Sequence, residues 1–299
     1  MHRIAITSMP NLTMTRRSAL VSIAAVAANA RALFAASKED LAQEFAKIEA
    51  RSRGRLGVAV ALPAGSRIQH RGEERFPMCS TFKFLAASLV LERVDAGREH
   101  LDRQVSFSKS DLVTYSPETE KHAGGSMTVA ELCKAALTLS DNTAANLLLA
   151  SFGGPSSVTS FARSIGDTMT RLDRTETSLN EGTPGDPRDT TTPNAMLRNL
   201  EKILLGTVLK PASRRQLTEW MLANTTGKAK FVAGLPPHWK VADKTGSGGH
   251  GSNNDIGVLY PPAGRPVLVT SYLTETEIPD DERNAIHAEV ARAIAAAVS

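Results

Sequence analysis

Sulfur is scarce in this chain: its 299 residues include only two cysteines, Cys79 and Cys133. At most one disulfide can form, and two buried free thiols are the expectation. No basic run with interleaved aromatics occurs. The charge excess is mild, 35 Lys and Arg against 31 Asp and Glu, so nucleic-acid binding has no electrostatic footprint. The seven histidines show neither H-x-H nor H-E-x-x-H spacing, and no metal site or cofactor is expected. No internal repeat and no low-complexity tract is present.

Long apolar runs are also missing. A bilayer span needs roughly 20 residues, and the small-residue run from Ser18 to Ala30 is shorter. It follows Arg16-Arg17 and fits a signal h-region behind a twin-arginine n-region. Ala28-Asn29-Ala30 and Ala30-Arg31-Ala32 are candidate cleavage sites. Residues 1–32 are therefore read as a signal peptide, with Met14 as an alternative start and an ordinary apolar first helix as the competing reading. The mature protein is expected in the periplasm or medium, free of the membrane and monomeric. No cysteine precedes Cys79, so lipidation of an N-terminal cysteine is not expected.

What remains, residues 33–299, has ordinary globular content, with 41% hydrophobic and 22% charged residues over the whole chain, and reads as one catalytic domain. Leu41, Phe45 and Ile48 recur at helical spacing before Gly54. Leu56–Leu62 and Arg67–His70 read as strands around Pro63-Ala64-Gly65. The text then turns helical to about Ala223. Thr81–Ala96 runs apolar to Gly97, Thr128-x-x-Glu131 is a capping box, and Pro155–Gly166, Thr192–Gly206 and Ser213–Ala223 follow. Strands return at Lys240–Lys244, Asp255–Tyr260 and Pro266–Leu273. A last helix after Asp280 aligns Ile286, Val290 and Ile294 on one face. The first and last strands share a sheet only if the helical block is an insertion between them. The predicted fold is α/β (α+β): an antiparallel sheet with terminal helices packed on it, spanning about 37–72 and 224–299. A large all-helical lobe spans about 73–223, with an active-site cleft between the two.

The residues that carry chemistry are spread along the chain. In Ser80-Thr81-Phe82-Lys83, the serine opens a long apolar helix and the lysine returns to its face three residues later. A serine hydroxyl needs a neighbouring base, and a desolvated lysine can serve. A second S-x-x-K, Ser106–Lys109, lacks the helix and reads as a polar loop. Ser140-Asp141-Asn142 falls between two helices: Ser140 can pass a proton to a leaving nitrogen, Asn142 can bind an amide with both ends of its side chain, and Asp141 can hold the turn. The stretch from Arg171 to Asp189 has few apolar residues and reads as a long functional loop. There Glu176 and Asn180 can jointly hold a water, and Arg174 with Asp189 can close the neck. Lys244-Thr245-Gly246-Ser247-Gly248 ends a strand. Lys244, Thr245 and Ser247 offer donors to a carboxylate, and the backbone amides of Ser247 and Ser80 can form an oxyanion hole. The overlapping Gly246, Gly248 and Gly251 match G-x-G-x-x-G, but a strand follows where a dinucleotide site demands a helix.

Each signal is weak alone. Together their order and spacing resemble the class A serine β-lactamase family, with its S-x-x-K, S-D-N, E-x-x-x-N and K-T-G set. The resemblance covers the whole mature chain, including Tyr115-Ser116-Pro117. It implies hydrolysis of penicillins, and through Ser247 of cephalosporins, by an acyl-enzyme on Ser80. Lys83 and Glu176 are rival bases for acylation, Ser140 the proton donor to the lactam nitrogen, and Glu176 with Asn180 the water activators. Asn142 and Tyr115 face the substrate's side chain and the cleft wall, and Lys244, Thr245 and Ser247 its carboxylate. The chain departs from the family pattern where an arginine often reinforces carboxylate binding. Asn253 and Asn284 occupy those positions, and Lys230 is the candidate substitute. Partners for the family's disulfides are missing too, with Gly248 opposite Cys79 and Ala87 opposite Cys133. A penicillin-binding D,D-peptidase and a β-lactam sensor that acylates without turnover are the rival readings. Glu176 and Asn180 separate a hydrolase from the peptidase, and a sensor would usually adjoin a membrane-spanning segment, which is not visible here.

Overall fold

The computed structural model describes residues 40–298; the signal-peptide reading, the alternative start and the processing sites lie outside them. A helix over residues 40–52, α1, leads into strands β1 (Arg55–Ala61) and β2 (Arg67–His70). Next come β3 (Phe76–Pro77), α2 (Phe82–Asp95), β4 (Gln104–Ser106), β5 (Ser126–Thr128), α3 (Val129–Thr138), α4 (Asn142–Ser151) and α5 (Pro155–Ser164). The chain continues through β6 (Thr190–Thr191), α6 (Pro193–Leu200), α7 (Pro211–Leu222) and the short α8 (Phe231–Gly234). It closes with β7 (Lys240–Ser247), β8 (Asn253–Tyr260), β9 (Val267–Thr274) and α9 (Asp280–Val298).

The first and last strands do share one sheet. Its order is β2-β1-β9-β8-β7 with every pair antiparallel, so the helical block is inserted between β2 and β7. Side chains alternate across a strand, and both faces here are covered. Leu56, Val58 and Val60 of β1 and Val267, Val269 and Leu273 of β9 pack with Phe45 and Ile48 of α1 and with Ile286, Val290 and Ile294 of α9. Ala59, Ile256, Val258, Leu268 and Tyr272 point the other way, into the core of the helical lobe. Strands β1, β8 and β9 are buried along nearly their whole length, whereas the edge strand β2 alternates, with Arg67 and Gln69 exposed and Ile68 buried.

Helix α2 is the axle of the lobe. Every residue from Phe82 to Leu91 is buried, the pattern of a helix surrounded on all sides, and α3, α4, α5 and α7 pack around it. Gly97, at φ +70°, ends it in a left-handed turn that a side chain would strain. The capping box forms as expected: Thr128 accepts from the Glu131 amide, and the Glu131 carboxylate takes the Thr128 amide. Two small ribbons, β3 with β6 and β4 with β5, interrupt the stretch read as wholly helical. The helix expected to run on through Leu204 instead widens after Leu200 into a π turn over Glu201–Leu205.

Candidate active site

Ser80 sits in a tight turn, Cys79–Thr81, at the mouth of α2. Cys79 adopts φ +45° there, and Thr81 pins the turn by donating its amide and hydroxyl to the Met78 carbonyl at 3.1 and 2.7 Å. One helical turn on, Lys83 is fully buried and reaches back. Its Nζ lies 2.9 Å from Ser80 Oγ, 2.7 Å from the Ser140 carbonyl, 2.6 Å from Asn142 Oδ1 and 3.0 Å from Glu176 Oε1. Burial pulls the Lys83 ammonium below its ordinary range, and the Glu176 carboxylate opposes that pull.

Glu176 arrives from the loop 171–189. Its Oε1 accepts from Ser80 Oγ at 3.1 Å, and its Oε2 from Asn180 Nδ2 at 2.5 Å. The side chain of Asn180 leaves Oδ1 buried with no protein partner among the described residues. Arg174 closes the neck of the loop on Asp189 at 2.6 Å. Asp189 is itself buried and accepts the amides of Asp173 and Arg174. Its carbonyl takes the Met78 amide at 2.9 Å, which ties the neck to the turn that carries Ser80.

Ser140, at φ +60°, lies between two cations: Lys244 Nζ donates to its Oγ at 3.0 Å, and Lys83 Nζ stands 3.4 Å away. Asp141 holds the turn as expected. It caps α4 through the Ala144 amide and accepts the amides of Glu118 and Thr119. Asn142 gives Oδ1 to Lys83 and an Nδ2 proton to the Thr114 carbonyl at 2.8 Å, so its amide is already half engaged within the protein. Tyr115 is 57% exposed at the rim, and its carbonyl takes the Asn142 amide.

Strand β7 supplies the opposite wall. A Cβ on Gly246 would stand 3.2 Å from the Ser80 amide nitrogen and 2.9 Å from the Met78 carbonyl, so only glycine permits this approach. Lys244 is buried. Burial, then the Lys83 charge, holds its ammonium well below the usual lysine range. Thr245 Oγ1 meets Thr226 Oγ1 at 2.5 Å, and Ser247 is exposed. Past the strand, Gly249 donates its amide to the Asn180 carbonyl at 2.8 Å.

Lys230 departs from its expected place. It is buried, and its Nζ donates to the main-chain carbonyls of Asn254 at 3.0 Å and Gly246 at 3.5 Å. It lies behind the K-T-G strand and does not join the side chains around Ser80. Burial brings its ammonium down to about 8, with Asp255 opposing. The second S-x-x-K copy is far simpler: Ser106 is an exposed residue of β4 paired across from Ser126. Both cysteines are free and buried. Burial, then the Glu176 charge, pushes the Cys79 thiol up to about 12. Asn146 escaped sequence reasoning. It lies four residues past Asn142 on the same helix face, the one signal that could have exposed it, and it binds the backbone of Glu176 at both ends.

The family model described as a β-lactamase enzyme family matches residues 40–298. The chain is 47% identical over 260 residues to β-lactamase CTX-M-8 of Citrobacter amalonaticus, covering 87% of this chain and 89% of that one. It is 46% identical to β-lactamase OXY-1 of Klebsiella oxytoca, over 93% and 97% of the two chains. Among solved structures, an ancestral class A β-lactamase superposes with a TM-score of 0.85 at 60% identity, covering 86% of this chain and 99% of that one. A putative class A β-lactamase from Rhodopseudomonas palustris gives the same TM-score, identity and coverages.

Proposed function

The chain belongs to the class A β-lactamase family, and from that premise we propose how its residues divide the chemistry. It is a serine β-lactamase that hydrolyses the β-lactam ring, an activity that confers antibiotic resistance. Ser80 Oγ attacks the lactam carbonyl, and the amides of Ser80 and Ser247 receive the developing oxyanion. The neighbours of Lys83 Nζ, the Ser140 carbonyl, Asn142 Oδ1 and Glu176 Oε1, are acceptors. That set suits an ammonium with three protons better than a neutral amine. Burial lowers the ammonium from its ordinary range, and the Glu176 carboxylate beside it opposes that shift. Glu176 is then the base that takes the Ser80 proton during acylation. Ser140, between the cations Lys83 and Lys244, gives its proton to the lactam nitrogen as the C–N bond breaks, and the proton that Glu176 took returns to Ser140 through Lys83, which leaves Glu176 ionised again.

Hydrolysis of the ester uses the same carboxylate. Glu176 and the unpartnered Oδ1 of Asn180 hold a water; Glu176 takes its proton as the water oxygen attacks the ester carbonyl, and passes that proton to Ser80 Oγ as the acyl bond breaks. The observation that carries this reading is the 3.1 Å contact between Glu176 and Ser80, with no intervening residue. Lys244, Thr245 and Ser247 bind the substrate carboxylate, Asn142 and Tyr115 its acylamino side, while Lys230 is turned to the carbonyls of Gly246 and Asn254 and the acids behind the strand. Penicillins and cephalosporins are the substrates. Residues 33–299 form one catalytic domain, monomeric and exported by a twin-arginine signal over residues 1–32. Among the described residues no helix is long and apolar enough to cross a membrane.

A chromogenic cephalosporin assay on the mature protein, with intact-mass analysis after mixing, tests the assignment. Sustained turnover with little adduct is expected. A single stoichiometric burst leaving a stable adduct on Ser80 would overturn it in favour of a D,D-peptidase or a sensor.

A further inference from the structure

Behind the Lys244 strand lies a pair of buried acids that the mechanism does not use. Thr245 stands directly opposite Asp255 in the β7–β8 register, and Asp243 opposite Gly257. Facing residues share a side of the sheet and alternate residues return to it. Asp243 and Asp255 therefore lie diagonally on one face, while Lys244 between them in sequence projects to the other side and meets Ser140. Asp243 is 2% exposed and Asp255 fully enclosed. The diagonal register sets the two enclosed carboxyl groups beside each other on that face. Asn224 Nδ2 donates to Asp243 Oδ2 at 2.9 Å, and the Phe231 amide donates to Asp255 Oδ2 at 3.2 Å. A Cβ on Gly227 would fall 1.9 Å from Asp243 Oδ2, so the backbone is closed over the pair.

Two ionised carboxylates have only acceptors to offer one another. A hydrogen bond between them requires a proton. Asp255 Oδ1 is buried with no hydrogen-bond partner among the described residues, an acceptor that a proton between the two acids would satisfy. We propose that Asp243 and Asp255 share one proton and act as positioning residues. The pair plus Lys230 is then neutral, and the positive field of Lys244 remains free for the substrate carboxylate. This deepens the reading of Lys244 given above and rests on it. Burial, followed for Asp255 by the neighbouring carboxylate, raises both acids from the ordinary aspartate range, as such sharing requires. The charged groups around the pair are Lys230 and Lys244; Asp280, Cys79 and the buried neutral His287 face Lys230 itself.

The test compares the wild-type protein with Asp255→Asn and Asp243→Asn. Either amide can donate to the remaining carboxylate, so the hydrogen bond survives without the shared proton. The wild type should show an infrared carboxylic-acid C=O band at neutral pH that both variants lack. Its unfolding constant should rise with pH more steeply than that of either variant, by about tenfold per pH unit between pH 6 and 8, the slope of one extra native-state proton. The KM for a penicillin should climb more steeply above neutral pH in the wild type than in Asp255→Asn. Absence of the band in the wild type, or equal stability slopes, overturns the shared proton. Equal KM slopes overturn the positioning role. If neither variant folds, the infrared band of the wild type decides alone. A KM unchanged in Lys244→Ala sinks the carboxylate reading and leaves the infrared result untouched.

Discussion

Asn146 holds the peptide of Glu176 from both directions. Its Nδ2 donates to the Glu176 carbonyl at 2.8 Å, and its Oδ1 accepts the Glu176 amide at 2.9 Å. The base is thus located by helix α4 as well as by its own loop. Asn146→Ala leaves both main-chain groups without that partner, at about 1–3 kcal/mol each where they stay buried. The melting temperature should fall, and kcat should drop more than kcat/KM because deacylation depends most on the carboxylate's place. Rapid-quench kinetics separates the two steps; an equal fall in both rates would contradict the positioning role.

Glu176→Ala removes the base assigned to both steps. Losing a general base costs on the order of 10²–10⁴ in rate. Among the described residues no other carboxylate hydrogen bonds to Ser80 Oγ to serve deacylation, whereas Lys83 Nζ at 2.9 Å can still assist acylation. Mass spectrometry should find an adduct trapped on Ser80. Rapid clearance of that adduct would remove Glu176 from the hydrolytic step.

Asp189 is 1% exposed, and Arg174 is its charged partner at 2.6 Å. Breaking a buried pair by deleting one member typically costs about 3–5 kcal/mol. Two main-chain amides still serve Asp189, so Arg174→Ala should fall near the lower figure. Urea unfolding measures it. A midpoint unchanged from wild type would mean that the neck holds without the charge.

Asp167 anchors the segment leading into the catalytic loop. Burial alone would raise its carboxyl, but the Thr170 hydroxyl and amide, Asn199 and the Met169 amide outweigh this and hold it below the ordinary range. A carboxyl lowered in the folded state adds stability above its unfolded pKa of about 3.9, and that stability is lost as pH falls through the lower folded value. Wild type should therefore exceed Asp167→Asn in melting temperature above about pH 5 and lose the margin progressively in acid. A margin independent of pH would show that the carboxylate's charge has no part in it.

Lys244→Ala should raise KM for a penicillin by roughly tenfold or more, the scale of a lost charge-assisted hydrogen bond worth about 1.5–3 kcal/mol. A substrate analogue without the carboxylate should be much less affected. Equal losses for both would assign Lys244 to Ser140 alone, to which it donates at 3.0 Å.

Much of this site was legible before any coordinates. Ser80, Lys83, Ser140 and Lys244 converge because their motifs end or begin an element, and element ends meet at the junction of lobe and sheet, where the loop 171–189 adds Glu176. The sheet was legible because apolar residues alternate or run unbroken over whole strands. Ribbons as short as Phe76–Pro77 carry no periodicity to read. The direction of Lys230 was not legible, since a flexible side chain's direction depends on what closes over it, here the carbonyls of Gly246 and Asn254. The neighbouring Asp243 and Lys244 look like one charged cluster in sequence. Only the pleat of β7 sends them to opposite sides.

The bond from the Met78 amide to the Asp189 carbonyl joins the hinge of the catalytic loop to the turn that presents Ser80. Attacker and base thus ride on one mechanical body, and a displacement of the hinge carries both together. Such coupling preserves their alignment against thermal drift. It also restricts adaptation: a change that swings the loop aside to admit a bulkier antibiotic drags on the attacking residue, so a wider entrance comes at the expense of speed.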